Sequence, residues 1–307
     1  MTALEVKNIS KSFGDLKAVD NASFSVPEGS IFGLLGRNGA GKTTTIRMMM
    51  NIYLPDTGEV TFRGIKAGAD FNSKVGYLPE ERGLYKKMKV LETLLFFAEI
   101  KGKNGRSVTK QAKAYLEQFD LADRMNSKIE TLSKGNQQKV QFISTLLHDP
   151  EILILDELFS GLDPINTNIM KNMILELKKR GKIILFSTHV MSFAEKMCDH
   201  IAIIDHGKIK INGALADIKA ERSQNNVSLN YNGDISFLNN NPIIESISDY
   251  GNSVGIKVKE EKHIQQLLKL LVDNNIEINK FDANEISLED IFIDTVGKEV
   301  TEEVKNV

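Results

Sequence analysis

Gly36-Arg37-Asn38-Gly39-Ala40-Gly41-Lys42-Thr43 stands between an apolar run, Ser30–Leu35, and a helical pattern over Thr44–Asn51. The spacing is Gly-x4-Gly-Lys-Ser/Thr, placed where a strand turns into a helix. Glycines let successive backbone N–H groups face an anion without Cβ obstruction, and the helix start adds the positive end of its dipole. Lys42 is positioned to reach the β and γ phosphates of a nucleoside triphosphate, and the Thr43 hydroxyl to ligate magnesium. Without the strand and helix around it, the stretch would read as a glycine-rich turn with an exposed lysine.

A second stretch, Glu151-Ile152-Leu153-Ile154-Leu155-Asp156-Glu157, supplies what the first one lacks. Four apolar residues bury a strand, and two carboxylates emerge at its end. Asp156 is expected to hold magnesium, which dehydrates reluctantly and prefers oxygen ligands. Glu157, on the opposite side of the strand, could orient or deprotonate an attacking water. An Asp-Glu pair alone would be a solvated strand terminus. Beside the glycine loop, the pair points to nucleoside-triphosphate hydrolysis.

The flanking chain fits an α/β fold. Strand-like runs at Leu4–Ile9, Lys74–Leu78, Ile183–Ser187 and Ile201–Asp205 alternate with helical patterns at Val90–Ile100, Thr109–Phe119, Gln137–Leu147 and Thr167–Lys179. The nearly continuous apolar runs imply strands buried on both faces of a mostly parallel sheet, with a helical insertion over about residues 85–148. Of the 307 residues, 1–220 carry 31 basic and 25 acidic side chains, whereas 221–307 carry 8 and 16. That shift coincides with the polar stretch Ser223-Gln224-Asn225-Asn226, so a boundary is expected there. The tail, 221–307, reads as a small α+β module. Strands are expected at Val227–Tyr231, Ile243–Tyr250, Val254–Val258 and Ile276–Phe281, and helices at His263–Val272 and Ser287–Val296.

A net charge of −2 argues against a strongly basic nucleic-acid binder. One cysteine, Cys198, excludes a disulfide scaffold and fits a reducing compartment. No apolar run reaches the roughly 18 residues of a membrane span, and Met1–Phe13 has no secretory pattern. The expectation is a soluble intracellular chain. If it works at a membrane, another chain must cross it.

Leu132-Ser133-Lys134-Gly135-Asn136-Gln137-Gln138-Lys139 resembles the Leu-Ser-Gly-Gly-Gln signature of ATP-binding cassette proteins, with Lys134 and Asn136 departing from it. Alone, the segment reads as a helix start capped by Ser133. Further motifs follow in that family's order. Ser160-Gly161-Leu162-Asp163 is similar to the dimer-contact loop. His189 resembles the switch histidine that senses the γ-phosphate, and Phe13 the aromatic that stacks on adenine. Glu80, in Gly76-Tyr77-Leu78-Pro79-Glu80-Glu81-Arg82, stands where the family has a magnesium-ligating glutamine; Glu80 to Arg82 read without the family are a solvated loop.

The resemblance spans about residues 2–220 and implies a P-loop NTPase cassette with a helical subdomain. It implies ATP and Mg2+ as ligands. Catalysis falls to Lys42, Glu157 and His189, and the metal to Thr43, Glu80 and Asp156. Nucleotide contacts would come from Phe13, from Gly36, Arg37, Asn38, Gly39, Ala40, Gly41, Lys42, Thr43 and Thr44, and from Ser133, Gly135 and Asn136 of a partner cassette. The implied protein is a homodimer or paired cassette, peripheral on the cytoplasmic face of the cell membrane. It would power an integral membrane permease on a separate chain, with no nucleic acid partner. The variant motifs and the tail ending Ser287-Leu288-Glu289-Asp290-Ile291-Phe292 look most like bacterial sodium-extrusion and antibiotic-efflux ATPases. The alternative is a soluble cassette acting on ribosomes or nucleic acid. It is disfavoured because such relatives join two cassettes or insert a long coiled coil. Leu84, Tyr85 and Met88, set among lysines, read either as a permease contact or as local core. Ile264, Leu267, Leu268 and Leu271 read as the tail's own core.

Overall fold

A computed structural model of the chain describes residues 2–81, 83–249, 254–283 and 286–305, with side chains through residue 297. Arg82 and Tyr250, both part of the sequence readings, lie outside the described residues. In chain order the first elements are β1 (Thr2–Phe13), β2 (Leu16–Pro27), β3 (Ile31–Leu35), α1 (Lys42–Met49), β4 (Thr57–Phe62), β5 (Ile65–Lys66), α2 (Ala69–Ser73) and β6 (Val75–Leu78). Then come α3 (Val90–Ile100), α4 (Arg106–Gln118), α5 (Lys134–Leu146), β7 (Ile152–Asp156), α6 (Pro164–Lys179), β8 (Ile183–Thr188), α7 (Met191–Met197), β9 (His200–Asp205) and β10 (Lys208–Ala214). The remainder is α8 (Leu215–Ser223), β11 (Asn226–Asn232), β12 (Ile244–Asp249), β13 (Val254–Val258), α9 (His263–Asp273), β14 (Glu277–Ala283) and α10 (Leu288–Lys305).

The site is built on a six-stranded sheet of order β10-β9-β3-β8-β7-β6, in which β9, β3, β8, β7 and β6 run parallel. Every residue of β3, β7 and β8 is buried, as strands covered on both faces require. A second sheet, β2-β1-β4-β5, is antiparallel and contributes Val6, Phe24 and Phe62 to a core shared with Phe32, Ile154 and Leu185 of the first. The sequence reading found only half of β1 and missed β2, β4 and β5. The reason is local: the β1–β2 register shifts repeatedly, and Asn8 (φ 51°) and Asn21 (φ 53°) break the period-2 alternation by which a strand is recognised.

The chain divides into two compact units, 1–189 with 198–212, and 190–197 with 213–307. The division falls ahead of the polar stretch at 223–226, because α8 and α7 pack into the second unit. Glu195 on α7 pairs with Lys219 of α8 and accepts the Leu288 N–H at 3.3 Å, and α7 packs on α10. The tail strands form a sheet of order β12-β13-β11-β14, with α9 supplying Ile264, Leu267 and Leu271 to its apolar core and Leu268 half-buried.

Candidate active site

The glycine loop joins β3 to α1 and its form follows from its glycines. Gly41 precedes the helix at φ 106°, and a Cβ there would lie 2.6 Å from the Ala18 carbonyl oxygen. A Cβ on Gly36 would lie 2.4 Å from the carbonyl oxygen of Ile204 on β9, so the loop can sit against that strand only as glycine. No side chain caps the first turn of α1, which leaves its N–H groups free for an anion. The helix starts at Lys42, two residues before the predicted pattern. The Lys42 ammonium is buried, donates to the carbonyls of Gly36 (2.9 Å) and Arg37 (3.0 Å), and lies 3.3 Å from Glu157 Oε1.

Asp156 ends β7 directly opposite Ser187 of β8. The Ser187 hydroxyl donates to Asp156 Oδ1 at 2.5 Å and accepts the Glu157 N–H at 3.0 Å, locking both carboxylate residues to the neighbouring strand. Glu157 then takes a left-handed backbone, φ 49°, which a non-glycine residue adopts at a cost and which is common at functional turns. The turn aims its carboxylate at Lys42 on one side and at His189 on the other, with His189 Nδ1 at 3.1 and 3.2 Å from the two oxygens. Burial pushes the Asp156 carboxyl above the usual carboxylate range, and the hydroxyls of Ser187 and Thr43 oppose that shift.

Asp156 Oδ2 is buried without a hydrogen-bond partner. An acceptor oxygen left over beside the Thr43 hydroxyl suits a hard divalent cation, and so small a protein donor set suits one that shares its coordination with phosphate. The residues fit magnesium. It would be held by Thr43 and Asp156, and would neutralise phosphate charge when bound.

A cavity of about 530 Å³ opens over the loop, lined among others by Phe13, Asn38, Lys42, Thr43, Glu80 and Glu157. Gly39, Gly41 and Thr44 also line it, whereas Gly36, Arg37, Ala40, His189 and the buried Asp156 do not. Phe13 is 44% exposed at the rim, and Glu80 is exposed there too. Ser133, Gly135 and Asn136 do not line the cavity. They sit at the start of α5, which begins at Lys134, one turn earlier than the sequence pattern implied, because the Ser133 hydroxyl accepts the Asn136 N–H at 3.2 Å and caps the helix. The segment is thus a helix cap.

Sequence reasoning missed Ser187, whose hydroxyl binds both carboxylate residues, and the wall formed by Leu16–Ala18, His206 and Gly207. The Gly207 N–H donates to the Ala40 carbonyl at 3.0 Å and its own carbonyl accepts the Asp20 N–H at 2.9 Å, so the β9–β10 turn braces the loop. The His206-Gly207 pair between two strands was the available signal for that turn.

Residues 19–160 match the ABC transporter family, and residues 213–296 match the C-terminal domain of ATP-binding proteins like DrrA1-3. The chain is 42% identical to the ABC transporter ATP-binding protein YhaQ of Bacillus subtilis (strain 168), over 96% of this chain and 98% of the relative. It is 32% identical to the bacitracin transport ATP-binding protein BcrA of Bacillus licheniformis, over 96% and 98%. A solved structure of the ATP-binding subunit of an ABC transporter superposes with a TM-score of 0.67 at 32% identity, covering 72% of this chain and 93% of that one.

Proposed function

The chain belongs to the ATP-binding cassette family of transporter ATP-binding proteins and is an ATPase, and on that premise we propose that it is the motor subunit of an exporter. It drives an integral membrane permease on a separate chain, from the cytoplasmic face. Among the described residues no helix is long and apolar enough to cross a membrane, which fits a pathway supplied by a separate chain. Similarity to the Nod factor export ATP-binding protein I of Rhizobium etli, 30% identical over 98% of this chain and 95% of the relative, supports export as the direction.

The observation that carries this reading is the convergence of Lys42 and His189 on the Glu157 carboxylate, with Lys42 and Glu157 lining a cavity that Ser133, Gly135 and Asn136 do not line. Lys42 is held by loop carbonyls and by Glu157. Phosphate oxygens are stronger acceptors, so ATP draws Lys42 away and releases the Glu157 carboxylate. Glu157 then accepts a proton from water as the water oxygen bonds to the γ-phosphorus. The bond from that phosphorus to the β–γ bridging oxygen breaks, leaving ADP and phosphate. His189 holds the carboxylate in place. The signature residues at the start of α5 serve the nucleotide of a second cassette, identical or paralogous, which makes the site composite.

Residues 80–93 are the proposed permease contact. Tyr85 is 53% exposed and packs edge-on against Phe96 and face-on against Phe97, with Leu84 and Met88 half-buried beside it. The tail, residues 221–307 by the sequence boundary, acts as an accessory domain in subunit pairing or regulation.

The test is size-exclusion chromatography with Mg2+ and ATP. Glu157→Gln should bind ATP, lose turnover by about 10²- to 10⁴-fold and accumulate as a closed dimer. Turnover at the wild-type rate would remove Glu157 as base. A protein that hydrolyses ATP yet stays monomeric, even with its permease, would sink the composite site.

A further inference from the structure

The ring of Phe13 is not left to find its own orientation. Tyr53 meets it edge-on, with ring centroids 5.4 Å apart and planes at 70°. Tyr53 lies in the loop after α1 and is tied back to that helix twice. Its hydroxyl accepts from the Arg47 guanidinium at 3.2 Å, and its N–H donates to the Arg47 carbonyl at 3.1 Å. The guanidinium also lies 5.8 Å from the Tyr53 ring centroid, a cation–π distance. Arg47 is on the same helix as Lys42 and Thr43, one full turn further along. The guanidinium in turn sits beside the phenol of Tyr77 and 3.9 Å from Glu81 of the Glu80 loop.

An exposed phenylalanine at a strand end samples several rotamers, and ordering it on binding lowers affinity. An aromatic edge fixed at a set distance from the phosphate loop removes that loss. We propose that Tyr53 and Arg47 are positioning residues for nucleotide binding, holding the Phe13 ring in register with the phosphate-loop helix so that the base meets a preformed face. The proposal rests on the reading of Phe13 as the base-stacking residue. It predicts an effect on the nucleoside end of the ligand alone, since the phosphate end is held by α1 itself.

The test compares the affinities of the full chain for Mg-ADP and for Mg-pyrophosphate by titration calorimetry, the second ligand lacking a base. Phe13→Ala and Tyr53→Ala should each weaken ADP by about two- to tenfold, the loss expected of one aromatic contact, and leave pyrophosphate within about twofold. Tyr53→Leu has the same expectation and replaces Tyr53→Ala if that protein does not fold. The double variant Phe13→Ala/Tyr53→Ala should bind ADP no more weakly than Phe13→Ala, because Tyr53 acts through Phe13. Tyr53→Phe, which keeps the edge and loses the hydroxyl tether, should fall between wild type and Tyr53→Ala.

Additive losses in the double variant, or equal weakening of ADP and pyrophosphate by Tyr53→Ala, would overturn the positioning role. A Tyr53→Phe protein with wild-type ADP affinity would overturn the assignment to Arg47. If Phe13→Ala left ADP binding unchanged, the base-stacking reading itself would fail, and the proposal with it.

Discussion

Asp156, at the end of β7, and Asp290, in the first turn of α10, are both nearly sealed from solvent, and burial raises both carboxyl pKa values. Their oxygens are used differently. Asp290 completes a reciprocal helix cap: its carboxylate accepts the Ser287 N–H at 3.2 Å, while the Ser287 hydroxyl accepts the Asp290 N–H at 3.1 Å. Asp156 has one oxygen bonded to Ser187 and the other without a partner. A cap satisfies groups that the helix start would otherwise leave open. An unpaired carboxylate oxygen in the interior costs stability that a bound cation offsets. The contrast extends to the two units. The first buries Lys42, Asp156, Glu157 and Ser187 at the ends of its parallel strands, whereas the tail's sheet core is wholly apolar. Buried polarity alone marks neither function nor architecture; at Asp156 it is the unpaired oxygen together with the neighbouring Thr43 hydroxyl and the glycine loop that points to a ligand.

The strongest break of that contrast comes from exchanging carboxylate for amide at each aspartate. Asp156→Asn should lower ATP turnover by on the order of 10²-fold or more, while Asp290→Asn stays within about twofold of wild type. Comparable losses from both, in folded proteins, would erase the distinction. Lys42→Ala comes next: removing a buried cation from the phosphate site should weaken ATP binding about 10- to 100-fold by calorimetry, with the fold retained by circular dichroism. Ser187→Ala sharpens the comparison further, because it removes the bond that orients Asp156 and the Glu157 backbone. Turnover should fall about tenfold and the unfolding temperature by a few degrees; unaltered kinetics would mean that the strand pairing alone holds the carboxylates.

The smallest effect is a pH dependence at Asp290. Folding raises its pKa above the ordinary 3.8, so the ionised form costs stability above the folded value. Below 3.8 both states are protonated and the cost disappears. Asp290→Asn should therefore raise the unfolding temperature at pH 7 by about 2 °C, with the gain vanishing as pH falls toward 3.8. A gain that persisted in acid would trace to packing rather than to charge.

Much of this protein was legible in its residues taken in order. The glycine loop, the strand ending in Asp156 and Glu157, the cap at Ser133 and the tail's alternation are local patterns, each set by a short run of chain and its immediate periodicity. Those runs sufficed for a parallel α/β core and for the residues of the candidate phosphate site. The antiparallel sheet escaped because its strands carry register shifts that destroy the period by which a strand is recognised. Ser187, Tyr53, Arg47 and the His206-Gly207 brace escaped for a different reason. A serine in a buried strand or a tyrosine in a loop has no local pattern. Its role exists only once strands 30 residues apart lie side by side, as Glu157 and Ser187 do. Sequence determined which groups could do the chemistry, because chemical type is a property of each residue. Tertiary structure decided which of them are held, and by what, because hydrogen bonds and ring contacts depend on distances that only the packed chain sets.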